Sequence, residues 1–220
     1  MAIPAKVSDR LNTGLNKYKK LLEKAKEQGA NEADTSSIIH RIIEDVLGYD
    51  MLDITAEYRI RGQYADYALK VKDKPSIIIE VKSIALVLNE NHLTQATTYA
   101  AQHGITWAIL TNGAVWQLYK LSFGRGIDTF LVFELDLLDK QIKPKEKINL
   151  LYTISKEGFT RGEITKLYQE KLALSTANIS KVILSNPVLE KIKRELRAKT
   201  GYKVSIEDLS EILKTKFLQK

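Results

Sequence analysis

Cysteine is absent from the 220-residue chain. That excludes disulfides, thiolate zinc sites and cysteine nucleophiles, and it fits a reducing cytoplasm, the expected compartment. No apolar run approaches the roughly 20 residues that span a bilayer, so no membrane partner is expected. The opening residues, MAIPAKVSDRLNTG, lack the apolar core of a secretory leader. There is no Gly-x-x-x-x-Gly-Lys loop, which excludes a P-loop ATP site in this sequence. Internal repeats and low-complexity tracts are also missing. What remains has the ordinary balance of a globular protein, 44% hydrophobic and 28% charged residues.

The net charge of +7 is unevenly spread. Residues 1–150 hold 20 basic and 19 acidic groups, and residues 151–220 hold 14 and 8. A basic tail on a near-neutral body suggests a polyanionic partner, although a solvated basic helix gives the same composition.

Periodicity predicts helices over residues 8–28 and 31–47, ended by Gly29 and Gly48, and strands over 54–60, 64–71 and 77–82. A helix over 89–103 follows, then strands over 105–110, 114–121 and 128–135, with Asn112-Gly113 as a hairpin turn. The order implies an α/β fold, one mixed sheet flanked by helices. From about residue 139 the sequence becomes lysine-rich and strand patterns stop. Helical patterns cover 148–155, 160–172, 176–184, 187–199 and 205–217. The expected division is therefore a sheet domain over 1–140 and a small, basic, all-helical subdomain over 141–220.

The charged groups that need explaining lie in YADYALKVKDKPSIIIEVK, residues 64–82. Ile77, Ile78 and Ile79 read as a buried strand, and alternation points Glu80 and Lys82 to the side of Ile78. A carboxylate and an ammonium at the end of a buried strand are costly unless they pair or hold a metal. A turn at Lys72–Pro75 folds the preceding strand back, which brings Asp66 within reach of both. Two carboxylates offer the hard oxygen ligands that Mg²⁺ or Mn²⁺ takes, with the Val81 carbonyl as a third donor. Lys82 would then steady charge developing on a phosphate. A strand-end salt bridge accounts for the same residues.

Several stretches together resemble the PD-(D/E)-x-K nuclease superfamily, and within it the N-terminal nuclease domain of type I restriction enzyme R subunits. They are NEADT at 31–35, LGYD at 47–50, ITAEYRIRGQYADYAL at 54–69, IIIEVK at 77–82, HLTQATTYA at 92–100 and LTNGAVWQLYK at 110–120. The first motif departs from the Pro-Asp form, with Ala65-Asp66 in its place. The resemblance implies a restriction-endonuclease-like fold and a Mg²⁺-dependent DNA endonuclease or nuclease module of restriction or defence type. Its catalytic set would be Asp66, Glu80, Lys82, Gln95 and Tyr99, and its metal set Asp66, Glu80, Val81 and Glu32, the last acting through water, with Glu44 as the alternative acid. A catalytically weak DNA-binding or assembly protein that keeps the fold is the competing expectation.

Gln95 and Tyr99, four apart on one helical face, resemble the Gln-x-x-x-Tyr motif of this nuclease group; helix-surface and core roles are the plainer readings. DNA is the expected partner, with a motor or specificity subunit on another chain and a second copy of this one left open. Arg59 and Arg61 make a basic turn near Asp66, His92 shares the face of Gln95, and Lys191, Lys193, Arg194 and Arg197 form the densest basic run.

Overall fold

The structure, a computed structural model, describes residues 2–60 and 63–218. Among these residues six strands form one sheet in the order β1-β2-β3-β4-β5-β6. They are β1 (Ile54–Ile60), β2 (Gln63–Val71), β3 (Lys74–Val81), β4 (Trp107–Thr111), β5 (Val115–Phe123) and β6 (Ile127–Asp136). β3 and β4 run parallel, and every other neighbouring pair is antiparallel. The sheet is thus two three-stranded meanders joined at a parallel seam. A parallel pair needs a crossover, and α3 (Thr94–Gln102) supplies it after a 3₁₀ turn at Glu90–Leu93. The fold is mixed α/β, as the sequence predicts.

Helices pack on both sides because alternate strand residues carry apolar groups to both faces. Ile77, Ile79, Val81, Ile109, Trp116 and Leu118 join the core cluster that holds α1 (Ala5–Glu27) and α2 (Glu32–Asp45). Ile78, Ala68, Ala108 and Leu110 join a second cluster with Ala96, Tyr99 and Ala100 of α3. The helix stripe read from the sequence is the buried one: Leu11, Leu15, Tyr18, Leu22 and Ala25 are all inside. Trp107, Trp116 and Tyr119 are core.

The chain divides into two compact units, Met1–Tyr168 and Gln169–Lys220. The first extends well beyond the boundary near residue 140 that composition suggests. The lysine-rich connection is structural: the Lys147 side chain is buried and donates to the carbonyls of Leu137 and Asp139, at 2.6 and 2.5 Å. Helix α4 (Pro144–Ile154) puts Leu151, Tyr152 and Ile154 into the large core cluster. Ser155 then ends α4 and caps α5 (Lys156–Thr160) through its side chain, so two helices stand where periodicity alone gives 148–155 and a gap. Long-range ties hold this segment. Lys156 N–H donates to Leu47 O, Tyr49 Oη to Ile154 O, and Arg10 forms a bidentate pair with Glu157 at 2.7 and 2.6 Å. Helix α6 (Glu163–Ala173) carries Ile164 into the same core.

The second unit contains α7 (Thr176–Ile183), α8 (Asn186–Thr200), α9 (Ile206–Ile212) and a last turn at Leu213–Phe217. Pro187 sits in the first turn of α8, and Gly201 ends it in the left-handed conformation, φ +73°. Among the described residues of both units, no helix is long and apolar enough to cross a membrane.

Candidate active site

The antiparallel register of β2 and β3 pairs Leu69 with Ile77, Ala68 with Ile78 and Tyr67 with Ile79. One further step brings Asp66 opposite Glu80, so the hairpin delivers both carboxylates to the α3 side of the sheet. The turn has Lys72 and Asp73 at φ +53° and +62°, the geometry of a two-residue hairpin connection, and a register shift between Leu69 and Lys70 then places Asp66 rather than Ala65 opposite Glu80. Glu80 pairs across the seam with Leu110, and β3 ends one residue later. The candidate site therefore sits where the hairpin and the parallel seam run out together.

Three charged groups meet there. The Asp66 carboxylate accepts a hydrogen bond from the Val81 N–H at 2.6 Å. The Lys82 ammonium donates to Glu80 Oε1, also at 2.6 Å. Glu80 is buried, only 4% exposed. Burial pushes its carboxyl up to about 7, against the pull of the Lys82 hydrogen bond and with help from the negative charges of Asp66 and Glu32. Burial lowers the Lys82 ammonium, but the hydrogen bond to Glu80 and the charges of Glu80, Glu32 and Asp66 outweigh it, and the net direction is up. Near neutral pH the site thus holds a fixed cation beside a carboxyl poised between its two forms.

The backbone adds an acceptor. Lys82 N–H donates to Thr111 O on β4 at 2.9 Å. Across a trans peptide the preceding carbonyl points the opposite way, so Val81 C=O faces β2, the side where Asp66 stands.

Glu32 reaches the site through charge. It is the first residue of α2, whose N-cap Asn31 accepts from Asp34 N–H. Its field is felt at both Glu80 and Lys82. Glu44, the alternative acid, lies near the other end of α2 beside His40, 3.7 Å away. Among the described residues no three Asp, Glu or His side chains gather closely enough to hold a metal ion.

The remaining expected residues fall in several places. Tyr99 is buried in the α3 cluster, its ring 4.7 Å from that of His103. Gln95 lies on α3 and Arg59 on β1, their side chains outside the described set, and Arg61 lies outside the described residues altogether. His92 is half-exposed, and its Nδ1 accepts from Asn89 N–H in the turn before α3. Lys191, Lys193, Arg194 and Arg197 all lie on α8 of the second unit. Lys191 pairs with Glu195 at 2.8 Å and Lys193 with Glu190 at 3.3 Å, while Arg194 and Arg197 are exposed.

Two buried polar residues that sequence reasoning did not assign to the site stand beside it. Thr35 Oγ1 accepts from Ile84 N–H at 3.1 Å, and Asn112 Nδ2 donates to Leu86 O at 2.9 Å and to Ile84 O at 3.4 Å. Asn112 is legible in the sequence only as half of a hairpin turn, and Thr35 only as a residue near a helix start. Nearby, Tyr67 Oη donates to Ser36 O at 3.0 Å, so α2's first turns are tied to the strand that carries Asp66.

Residues 35–132 match the family model of the type I restriction enzyme R protein N terminus, just under half of the chain. No curated protein and no solved structure matches it significantly. The match begins at Thr35 on α2, spans β1 to β5 with α3 between them, and ends within β6. Over these residues the chain is similar to the type I restriction enzyme R protein N-terminal family.

Proposed function

We propose that the first unit is a divalent-metal-dependent DNA nuclease module of restriction or defence type, acting on phosphodiester bonds. The observation that carries the reading is the meeting of Asp66, Glu80 and Lys82 at one strand end, with Glu80 almost fully buried and ion-paired at 2.6 Å. A salt bridge made for stability alone gains little from such a place, since burying both charges costs about as much as their attraction returns. The donors fit a hard cation: two carboxylates and the Val81 carbonyl, all oxygen. Mg²⁺ or Mn²⁺ held by Asp66, Glu80 and the Val81 carbonyl would supply Lewis acidity toward a phosphate oxygen and a water.

The chain's own groups supply the rest. Lys82 presents a fixed positive charge where negative charge grows on the phosphate in the transition state. Glu32 adds a more distant negative charge that helps keep Lys82 protonated. Glu80, with its carboxyl near 7, offers a full negative charge only above neutrality, so metal affinity rises with pH through that range. Gln95 and Tyr99 belong to this reading as residues of α3, the helix on the side of the sheet to which the carboxylates are delivered. Arg59, Arg61 and His92 would contact the DNA backbone, and α8 of the second unit would add sequence-blind, salt-sensitive affinity. Translocation along DNA, if the module serves a motor, would come from another chain.

A second reading has an observation of its own. Because no third acidic or histidine side chain joins Asp66 and Glu80 among the described residues, metal affinity is weak without a substrate phosphate, and a DNA-binding or assembly role with little catalysis follows. Cleavage of supercoiled plasmid with Mg²⁺ or Mn²⁺ separates the two. Wild type should nick or linearise DNA, and Asp66→Ala and Lys82→Ala should each lose about 10³-fold in rate. Equal behaviour of wild type and variants would sink the nuclease reading. DNA binding retained by all of them would leave the second.

A further inference from the structure

Lys82 is the first residue past the end of β3, and the stretch from Lys82 to Asn89 has no sheet ladder to hold it. Its backbone is nevertheless tied at every second residue from Lys82 to Leu86. Lys82 N–H donates to Thr111 O, Ile84 N–H to Thr35 Oγ1, and Asn112 Nδ2 to the carbonyls of Ile84 and Leu86. The two side chains come from elements far apart in sequence, the first turn of α2 and the β4–β5 turn, and both are buried, Thr35 at 0% and Asn112 at 6% exposed.

Each side chain uses both of its capacities. The Thr35 hydroxyl donates to Asn31 O at 2.7 Å while accepting from Ile84. Asn112 Oδ1 accepts from Val115 N–H at 2.7 Å while its amide donates to the strap. Their elements also meet. A Cβ added to Gly113 would stand 3.6 Å from Thr35 Cγ2 and 3.0 Å from Leu22, so the turn seats directly on α2 and α1. The β4–β5 turn and α2 thus grip the segment together.

We infer that Thr35 and Asn112 are positioning residues of the candidate site, fixing the backbone after β3 so that the Lys82 ammonium stays on Glu80. This rests on the nuclease reading for its catalytic consequence, but not for its geometry. Side-chain hydrogen bonds to a loop backbone replace the ladder that β3 no longer provides, and an error of about 1 Å in a catalytic group costs on the order of 100-fold in rate.

The test uses the full-length chain and three variants. Thr35→Val keeps the shape and removes the acceptor. Asn112→Asp keeps the acceptor for Val115 and removes the donor. Thr35→Ser keeps the hydroxyl. In metal-free protein labelled at lysine Cε and Nζ, the Lys82 side-chain signal, identified by its loss in Lys82→Arg, should move to the position of solvated lysines in Thr35→Val and Asn112→Asp and stay in place in Thr35→Ser. In plasmid cleavage, kcat should fall about 100-fold in the first two with KM unchanged, and Thr35→Ser should restore it.

A Lys82 signal that does not move in either variant overturns the inference, whether or not the chain cuts DNA. Wild-type protein that fails to cleave removes the nuclease reading alone, and the Lys82 signal still decides this one. If one variant unfolds, the other decides. If both unfold while Thr35→Ser stays folded, the two residues support the fold rather than Lys82, and the inference falls.

Discussion

The two units solve the problem of being compact in different ways. The first, Met1–Tyr168, buries many polar groups and hydrogen-bonds most of them: Thr35, Asn112, Thr111, Lys147 and Ser155 are inside and paired, while the Tyr152 hydroxyl has no partner among the described residues. The second, Gln169–Lys220, fully buries little beyond Leu189 and Leu209 among its described residues and leaves Leu174, Val182, Tyr202, Ile212 and Phe217 well exposed. It also carries 11 basic and 6 acidic residues, against 23 and 21 in the first. A fold that fixes many polar atoms inside can hold a reactive geometry, because each unmet hydrogen bond in a core is expensive. A small basic helical unit with a thin core can offer charge at low structural cost, and nothing more demanding.

The sharpest way to break this contrast is to cut the chain in two places. Ending it after Tyr168 should leave a folded first unit that still cleaves DNA but binds it with a flatter salt dependence, since the cations of α8 are gone. Ending it after Gln141 should unfold the chain, because Leu151, Tyr152, Ile154 and the Arg10–Glu157 pair are lost from the core. Circular dichroism on heating and binding at several salt concentrations check both. An unchanged salt slope in the longer fragment would remove α8 from the DNA contact, and a folded shorter fragment would restore the boundary near residue 140.

Point substitutions test the same contrast on a smaller scale. A Cβ on Gly158 would stand 1.8 Å from the Tyr152 carbonyl oxygen, a backbone atom that cannot swing aside. Gly158→Ala should therefore cost more than about 3 kcal/mol, seen as a fall in the denaturant midpoint. In the second unit, Val182→Ser at a 61% exposed position should change stability by less than about 0.5 kcal/mol. Comparable losses at the two positions would show that the second unit is as tightly packed as the first.

The smallest effect expected within the first unit concerns Glu80 and depends on pH. Its ordinary value is 4.5 and its folded one about 7. Between them the folded chain keeps a proton that the unfolded chain has released, so stability falls as pH rises through that window and is flat above it. Glu80→Gln has no such slope. In metal-free buffer it should match wild type at pH 4.5 and exceed it by about 3 kcal/mol at pH 8, read as a Tm higher by several degrees, about 2–4 °C per kcal/mol for a chain of this size. Parallel pH profiles for the two proteins would mean that Glu80 is ionised throughout.

Much of this was legible in the sequence, and the exceptions share a cause. Strand alternation and a turn before Pro75 were enough to bring Asp66 near Glu80, but the register shift at Leu69–Lys70 that sets it directly opposite was not legible. The glycines at 29 and 48 ended their helices as expected, each with positive φ. The bounds of the first unit were not legible. A lysine-rich stretch looks like a linker until Lys147 is seen donating to two carbonyls from inside. Thr35 and Asn112 were missed as supports for the same reason, since their partners lie 49 and 26 residues away and no local pattern announces them.

The parallel seam has a consequence for how the protein is made. All three charged groups are encoded before residue 83, within the first meander and the residue that follows it. Thr111 and Asn112, which align the stretch after β3, belong to the second meander and its first turn, and the tie between Arg10 and Glu157 waits until α5 has been synthesised. A nascent chain emerging from the ribosome therefore carries these three charged groups without their later supports until most of the first unit is complete. If the first unit is the nuclease proposed above, the order of the strands works as a safety catch.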